Sequence, residues 1–261
     1  MYKRFLGLAI LLGFLLFVNS AYAALYDFNS GTAGFTTLGT ATLSSGSVQL
    51  TEPIGDGQAG SIFLNAALDA TSFNASFYFK IGEPGPYSSY SGDGITFAWV
   101  TSPGLGAGGG ELGFTGLNGY MVEFDHYWNI GYEPPGSLKQ SDAETDHIAV
   151  AQAVNNPLSY YNLPFDLEDN IWHDVNIAFD NGQIQVYMDG TKYIDYTISG
   201  YTGFDAYFGF TGATGASYSR QLIDDFDITI NQTPVPEPAT LLLLGSGLLG
   251  LVGFRRKFRK K

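Results

Sequence analysis

The sequence predicts an all-β fold, a sandwich of antiparallel sheets. Between residues 24 and 230 no long stretch repeats with a helical period, whereas many short segments alternate apolar and polar residues. Such segments lie at 77–81, 175–179, 184–188 and 226–230. Because successive side chains of a strand point to opposite faces, each segment buries one face and exposes the other, as the sheets of a sandwich require. Asp180-Asn181-Gly182 and Asp189-Gly190 are hairpin turn signals between such segments.

Residues 1–23 have the composition of a secretory signal peptide. Met1–Arg4 is basic, Phe5–Val18 is apolar, and Ala21-Tyr22-Ala23 is a small-x-small cleavage site. The sequence therefore predicts an N-terminal signal helix that is removed after Ala23, and a folded part that lies outside the cytoplasm.

Residues 233–261 form a second targeting segment. Val235-Pro236-Glu237-Pro238 precedes an apolar run that ends at Phe254, and six of the seven residues from Arg255 to Lys261 are basic. A helix over the apolar run would be about 24 Å long, a little short of the roughly 30 Å hydrocarbon core, so it can span a bilayer with thinning or snorkelling. The basic tail would stay cytoplasmic.

The order of Pro-Glu-Pro, apolar helix and Arg-rich end resembles the PEP-CTERM sorting signal of Gram-negative bacteria. The resemblance implies transient anchoring in the inner membrane, removal of the tail by an exosortase-type membrane protease, and delivery to the cell surface or extracellular matrix. A plain membrane anchor is the alternative interpretation.

The central part, residues 24–232, is predicted to be one domain with a strongly acidic surface. Residues 24–234 contain four basic residues against 24 acidic ones, a formal charge of −20. Such a surface repels nucleic acid and anionic membrane and attracts cations. The chain has no cysteine, so the domain depends on its core alone, for which about 210 residues are enough.

Ligands suited to a metal ion are concentrated between Tyr120 and Val150. A first strand carries acidic, phenolic and amide groups at alternate positions, and a second set precedes a strand predicted at 148–154. The first set is Glu123, Asp125, Tyr127 and Asn129; the second is Asp142, Glu144, Asp146 and His147. Hard divalent cations prefer oxygen ligands, and a single imidazole suits a neighbouring transition metal. The alternative is that these acids form the solvated rim of a loop.

The pattern E-F-D-x-Y-x-N followed by D-x-x-x-x-H resembles the metal-binding segment of the legume-type (L-type) lectins. The resemblance implies a transition metal such as Mn²⁺ on Glu123, Asp125, Asp142 and His147. It also implies Ca²⁺ on Asp125, the Tyr127 carbonyl, Asn129 and Asp142. The intervening loop, with Pro134-Pro135, is longer than in plant members, which makes Asp146 a competitor of Asp142. Asp142 is preferred because its five-residue offset from His147 fits the family.

Three further stretches resemble the sugar-binding loops of the same family. Ser91–Trp99 resembles A-D-G-(apolar)-x-F, which implies that Asp93, after a cis Gly92–Asp93 bond, accepts sugar hydroxyls. The glycine-rich run 104–113 implies that the Gly110 amide donates to sugar. Residues 210–218 resemble the family's loop after the motif F-(S/T)-x-A-T-G. This implies that the backbone of Gly215, Ala216 and Ser217 contacts the sugar and that the Tyr218 ring offers a stacking surface to it. Asn129 and the Tyr127 ring would complete the site. The alternative, if the resemblance is set aside, is that Asp93 is an ordinary turn aspartate and that residues 104–113 form a flexible surface loop.

The hairpin from Ile171 to Gly190 resembles the back sheet of the concanavalin-like jelly roll. His173 is predicted to be structural, and Trp172 to lie in the core. With the loops above, the matches occur in the family's order along nearly all of 26–230. The fold expected is therefore a concanavalin-like jelly-roll sandwich, with the signal helix and the transmembrane helix at its two ends.

The function expected is that of a secreted, calcium-dependent protein that binds cell-surface glycans or exopolysaccharide. Whether the sandwiches pair into a homodimer stays open. A jelly-roll glucan hydrolase would need a closing glutamate where Tyr127 and Trp128 stand, and no nucleophilic triad is recognisable, so an enzyme is not expected. A structural or adhesive matrix protein that keeps the fold without sugar affinity is the remaining alternative.

Overall fold

A computed structural model describes residues 22–84, 91–127, 146–154 and 156–231, and this part of the chain is all-β, as predicted. A three-residue 3-10 helix, Gly109–Glu111, interrupts the strands. The strands are β1 (Tyr22–Tyr26), β2 (Phe35–Gly39), β3 (Thr42–Ser44), β4 (Ser47–Thr51), β5 (Ala59–Leu64), β6 (Leu68–Asp69), β7 (Ser72–Pro84), β8 (Gly94–Val100), β9 (Gly119–Asp125), β10 (His147–Ala151), β11 (Pro157–Asn162), β12 (His173–Asp180), β13 (Gln183–Met188), β14 (Thr191–Thr197), β15 (Asp205–Ala213) and β16 (Ser219–Ile230).

The strands form two antiparallel sheets. The back sheet has the order β14-β13-β12-β7-β16-β4-β3, with β1 also paired to β16. The front sheet has the order β11-β10-β9-β8-β15-β5-β2, with β6 also paired to β15. Neighbours in each sheet are often distant in sequence, which is the topology of a jelly roll rather than of a simple meander. The predicted sandwich of antiparallel sheets is confirmed.

The main core lies between the sheets and is rich in aromatic side chains. Phe73, Phe77 and Phe79 of β7 face Phe97 and Phe124 of the front sheet, and all five are at most 1% exposed. Their rings meet in stacked, tilted and edge-on pairs with centroids 4.9 to 6.3 Å apart, a geometry that adds to the stabilisation from buried area. This core supplies the stability that a domain without disulfides needs.

A second, smaller core lies on the other face of the front sheet, beneath residues 101–118. Leu112 and Phe114 of that segment pack with Met121 of β9 and Val154 beyond β10, and all four are almost fully buried. Because this cluster fixes the segment against the sheet, the glycine-rich run is a packed loop over β8 and β9 rather than a flexible one.

The predicted hairpins are confirmed, with two local differences. Asn181 and Asp189 have left-handed backbone angles, followed by Gly182 and Gly190 with positive φ as well, and each joins paired strands. The strand predicted to start at residue 171 begins at His173, and the one predicted at 148–154 spans His147–Ala151.

The expectation for His173 fits the structure, whereas that for Trp172 was wrong. The His173 imidazole is buried between Asp189 (Nδ1 to Oδ2, 2.7 Å) and Asp169 (Nε2 to Oδ1, 3.3 Å). Trp172 is 38% exposed, with the Lys80 ammonium 5.0 Å from its ring centroid. Just before β12 the indole lies beneath the Lys80 ammonium instead of entering the core.

The predicted transmembrane helix and residues 1–21 of the predicted signal peptide lie outside the described residues, whereas Tyr22 and Ala23, its last two residues, belong to β1. Within the described ranges no helix is long and apolar enough to cross a membrane.

Candidate functional site

Three of the predicted metal ligands lie on neighbouring strands in the middle of the front sheet. In the register of the sheet, Asp125 at the end of β9 pairs with Gly94 of β8 on one side and with His147 of β10 on the other. Glu123 lies two residues earlier on the same face as Asp125, next to Met121 and away from the main core. Side chains separated by more than 20 residues in sequence are therefore brought together by strand pairing.

These three side chains are buried to an unusual degree for ionisable groups. Glu123, Asp125 and His147 are each at most 2% exposed, and His147 Nε2 lies 3.4 Å from Glu123 Oε1. The other oxygen, Glu123 Oε2, has no hydrogen-bond partner among the described residues. A buried carboxylate oxygen without a donor is costly unless a cation compensates it. Two carboxylates and one imidazole are donor types that a transition metal accepts.

The predicted ligand set is incomplete in the described part of the chain. Asn129 and Asp142 lie outside the described residues, and the structure tests neither position. Among the residues described, no group of three or more His, Asp or Glu side chains is arranged to hold a metal ion. The Tyr127 amide donates to Asp125 Oδ1 at 2.9 Å, which ties Tyr127 to the end of β9.

Asp146, the competitor of Asp142, has a different role in the described residues. Its Oδ2 accepts the Leu167 amide at 2.5 Å and its carbonyl accepts the Leu163 amide at 2.7 Å, so it anchors the 163–168 loop. Burial, together with the neighbouring Glu168 carboxylate, raises the pKa of Asp146 to about 9. The other carboxylate oxygen, Asp146 Oδ1, has no hydrogen-bond partner among the described residues, so Asp146 stays a candidate ligand beside Asp142.

His126 was not predicted to belong to the site, because no motif marks it. It is fully buried directly after Asp125, with Nδ1 3.8 Å from Glu168 Oε2. Neither ring nitrogen makes a hydrogen bond within the described ranges. Burial lowers the pKa of His126 to about 3, so the imidazole is neutral and adds no positive charge beside the acids.

Asp93 lies at the other side of Asp125, in the loop before β8. The Gly92–Asp93 peptide bond is cis, as expected from the sequence. The Asp93 amide donates to the Ala213 carbonyl at 2.9 Å, and its carbonyl accepts the His126 amide at 3.0 Å. The carboxylate is only 2% exposed. Main-chain bonds therefore tie this residue to two other segments.

The glycine-rich loop and the 214–217 loop converge on Asp93. A methyl group built on Gly215 would lie 3.1 Å from Asp93 Oδ2 and 3.4 Å from the Gly109 Cα, so both backbones approach the carboxylate closely. A methyl group on Gly92 would lie 3.0 Å from Ser217 Cβ and 3.3 Å from the Tyr127 ring. A side chain at either glycine would force its neighbours to move by a few tenths of an ångström, so glycine keeps these approaches close.

Hydrogen bonds lock these loops to each other. The Gly109 amide donates to the Thr214 carbonyl at 2.9 Å, and the Gly57 amide donates to the Gly215 carbonyl at 2.9 Å. The side-chain nitrogen of Gln58, Nε2, donates to the carbonyls of Glu52, Ile54 and Gly55 and so holds the turn that supports these loops. The contribution of the turn at residues 52–58 was not predicted, because nothing in its sequence marks it as part of a site.

The predicted sugar-contact positions that are described surround the same small region. Asp93, Gly110, Tyr127, Gly215, Ala216 and Ser217 come from four loops at one end of the front sheet. Ala216 is exposed and Gly110 is buried in the 3-10 helix. The proposed stacking surface on Tyr218 was wrong, because that side chain is only 5% exposed. The arrangement brings an acidic hydrogen-bond acceptor, bare backbone and one tyrosine ring close together.

The fold and the loop arrangement define a concanavalin-like jelly-roll sandwich with a polar site at one end of its front sheet. The chain belongs to the legume lectin domain family, whose model matches residues 24–242. A second match, to the PEP-CTERM protein-sorting motif, covers residues 234–257. Both resemblances drawn from the sequence are confirmed.

Solved lectins share this fold at low sequence identity. The basic winged bean lectin with Tn-antigen has a TM-score of 0.65 at 21% identity, covering 80% of this chain and 98% of that one. The lectin from Bauhinia forficata in complex with GalNAc has a TM-score of 0.64 at 19% identity, covering 82% and 100%. The exoplasmic/lumenal domain of VIP36, in a form bound to Ca²⁺ and Man3GlcNAc, has a TM-score of 0.61 at 16% identity, covering 83% and 91%. At these identities the likeness concerns the fold.

Proposed function

We propose that the protein is an exported, calcium-dependent lectin that binds cell-surface or exopolysaccharide glycans at the Asp93 site. The observation that carries the proposal is the placement of Asp93, a buried carboxylate with bare glycine backbone against it. A carboxylate fixed there accepts hydrogen bonds from two sugar hydroxyls, each worth about 1.5 to 3 kcal/mol before the sugar is dehydrated. Gly110, Tyr127, Asn129 and residues 215–217 complete the proposed contacts.

The metals in this proposal organise the site rather than perform a reaction. Ca²⁺ would be held by Asp125, the Tyr127 carbonyl, Asn129 and Asp142, and a transition metal such as Mn²⁺ by Glu123, Asp125, Asp142 and His147. The buried Glu123 oxygen without a hydrogen-bond donor supports a cation there. Calcium supplies rigidity to the segment that carries Asn129 and Tyr127, because a ligand-bearing loop is fixed by the ion that its residues share.

The proposed localisation rests on the targeting segments at residues 1–23 and 233–261. The signal peptide would direct export, and the PEP-CTERM segment would anchor the chain in the inner membrane until an exosortase-type protease removes it. The domain would then act at the cell surface or in the extracellular matrix. No part of this proposal involves an enzymatic step or a nucleic acid partner.

The test is calcium titration of the full-length protein, in a detergent without a sugar headgroup, followed by a glycan array with and without EDTA. We expect calcium binding, and glycan binding that disappears with the chelator. The control is Asp205→Asn, a change of exposed charge at the opposite end of β15 from the site. If calcium does not bind and no glycan is retained, the protein is a matrix component on a lectin scaffold.

A further inference from the structure

The outer face of the back sheet carries a shallow trough that crosses four strands. The pairing of β16, β7, β12 and β13 places Asp227, Ser76, Asn176 and Tyr187 in one row. The next row contains Thr229, Asn74, Ala178 and Gln185. The small side chains of Ser76 and Ala178 form the floor, and the two depressions lined by these rows share Asn74 and Ala178. Strands lie 4.7–4.9 Å apart, so the trough is about 14 Å long.

The lining consists of amide, hydroxyl and carboxylate groups, several of which are held in place. The Asn176 side-chain nitrogen donates to Asp174 at 2.9 Å, and that of Gln185 donates to Asp195 at 3.0 Å. The side chains of Asn74 and Ser76 make no hydrogen bond within the described part of the chain. The centre of the trough therefore offers donors and acceptors that neighbouring residues do not use.

The charge and polarity of this face restrict what it can bind. The described strands of this sheet carry six aspartates that are not buried, Asp174, Asp180, Asp195, Asp224, Asp225 and Asp227, against three basic residues, Lys80, Lys192 and Arg220. This excess of negative charge disfavours anionic polymers and also a second copy, since a two-fold axis would bring like charges together. Apart from Ala178, the outward positions of β12 and β13 are polar, so an apolar protein partner has little to pack against. A neutral ligand rich in hydroxyl groups is complementary.

We propose that this trough is a second carbohydrate site, which takes a neutral glycan chain without calcium. Amides bind sugar hydroxyls as paired donors and acceptors, Asp227 accepts a further hydroxyl, and the Tyr187 ring borders the row. The trough contains none of the proposed metal ligands, and it lies on the opposite sheet from Asp93. Two sites on opposite faces would let one molecule bridge two polysaccharide chains, which raises avidity without new contacts at either site.

The test separates the two sites by chelation and by substitution. The full-length Asp93→Ala protein is applied, in EDTA, to an array of neutral and anionic oligosaccharides. We expect retained binding to neutral oligosaccharides, reduced at least tenfold when Ala178→Gln fills the floor of the trough. The matched control is Thr42→Gln, an exposed threonine on β3 at the edge of the same sheet, which should leave the signal unchanged.

Each outcome decides the proposal. The proposal is overturned if all glycan binding is lost in EDTA, or if the Ala178→Gln and Thr42→Gln proteins bind equally. Neither outcome bears on the calcium-dependent site, because binding there is measured separately, on the wild-type protein with calcium. If Ala178→Gln lowers the melting temperature, Asn74→Ala, which changes an exposed side chain, replaces it. Sedimentation completes the test: if Ala178→Gln converts a dimer to a monomer with no chelator-resistant binding, the face is a subunit interface.

Discussion

Replacing Asp93 by asparagine separates the sugar-binding role of this residue from its structural role. Two hydrogen bonds that fix its position use its main chain, through the Ala213 carbonyl and the His126 amide, and the change leaves them intact. Asparagine has nearly the same shape as aspartate, so the close approach of Gly215 is kept. What changes is one acceptor oxygen, which becomes a donor, and the negative charge.

The expected loss of affinity follows from the number and kind of hydrogen bonds. If one charge-assisted bond to a sugar hydroxyl is lost, the cost is about 1.5 to 3 kcal/mol, which is about tenfold to 150-fold in Kd. The stability of the fold should change by less than about 1 kcal/mol, or about 4 °C in Tm, because no packing or main-chain bond is removed.

The assay is titration calorimetry against the best oligosaccharide from the array, with Tm measured on the same samples in calcium. Asp205→Asn serves as the control, because it removes one exposed carboxylate far from the loops. Binding within twofold of wild type would mean that Asp93 does not contact the sugar. A Tm lower by more than about 8 °C would mean that its carboxylate is a structural acceptor, and the reasoning would fail.

Three other substitutions test separate parts of the site. Asp125→Ala should lower both calcium affinity and Tm, because it removes a proposed shared ligand; unchanged calcium titration would contradict this. Asp142→Asn should weaken calcium binding more than tenfold while Asp146→Asn leaves it within twofold, as titrations of the two proteins would reveal; the reverse result would exchange their roles. Gly215→Ala places a methyl group 3.1 Å from the Asp93 carboxylate, so glycan affinity should fall at least tenfold with little change in Tm. Unchanged affinity on the array would show that this loop does not border the ligand.

Much of the fold could be predicted because its signals are local. The alternation at 77–81 and 175–179 and the turn at Asn181-Gly182 each involve residues within one strand or hairpin, and the structure has them as predicted. Boundaries were less predictable: Trp172 was assigned to a strand core although the strand starts at His173. An aromatic residue makes the same contribution to an apolar sequence pattern whether its ring packs in the core or lies beside a lysine at the surface.

The sequence by itself determined the class of fold, the family and the residue types available for a metal and a sugar, because alternation and motif spacing are properties of consecutive residues. Only the tertiary structure decided which of those groups meet. Strand pairing brings His147 beside Asp125, the anchoring of the 163–168 loop engages Asp146, and the turn at 52–58 supports Gly215. The trough on the back sheet likewise exists only in the register of four strands. Contacts between distant segments depend on how whole sheets pair, and no local pattern encodes that pairing.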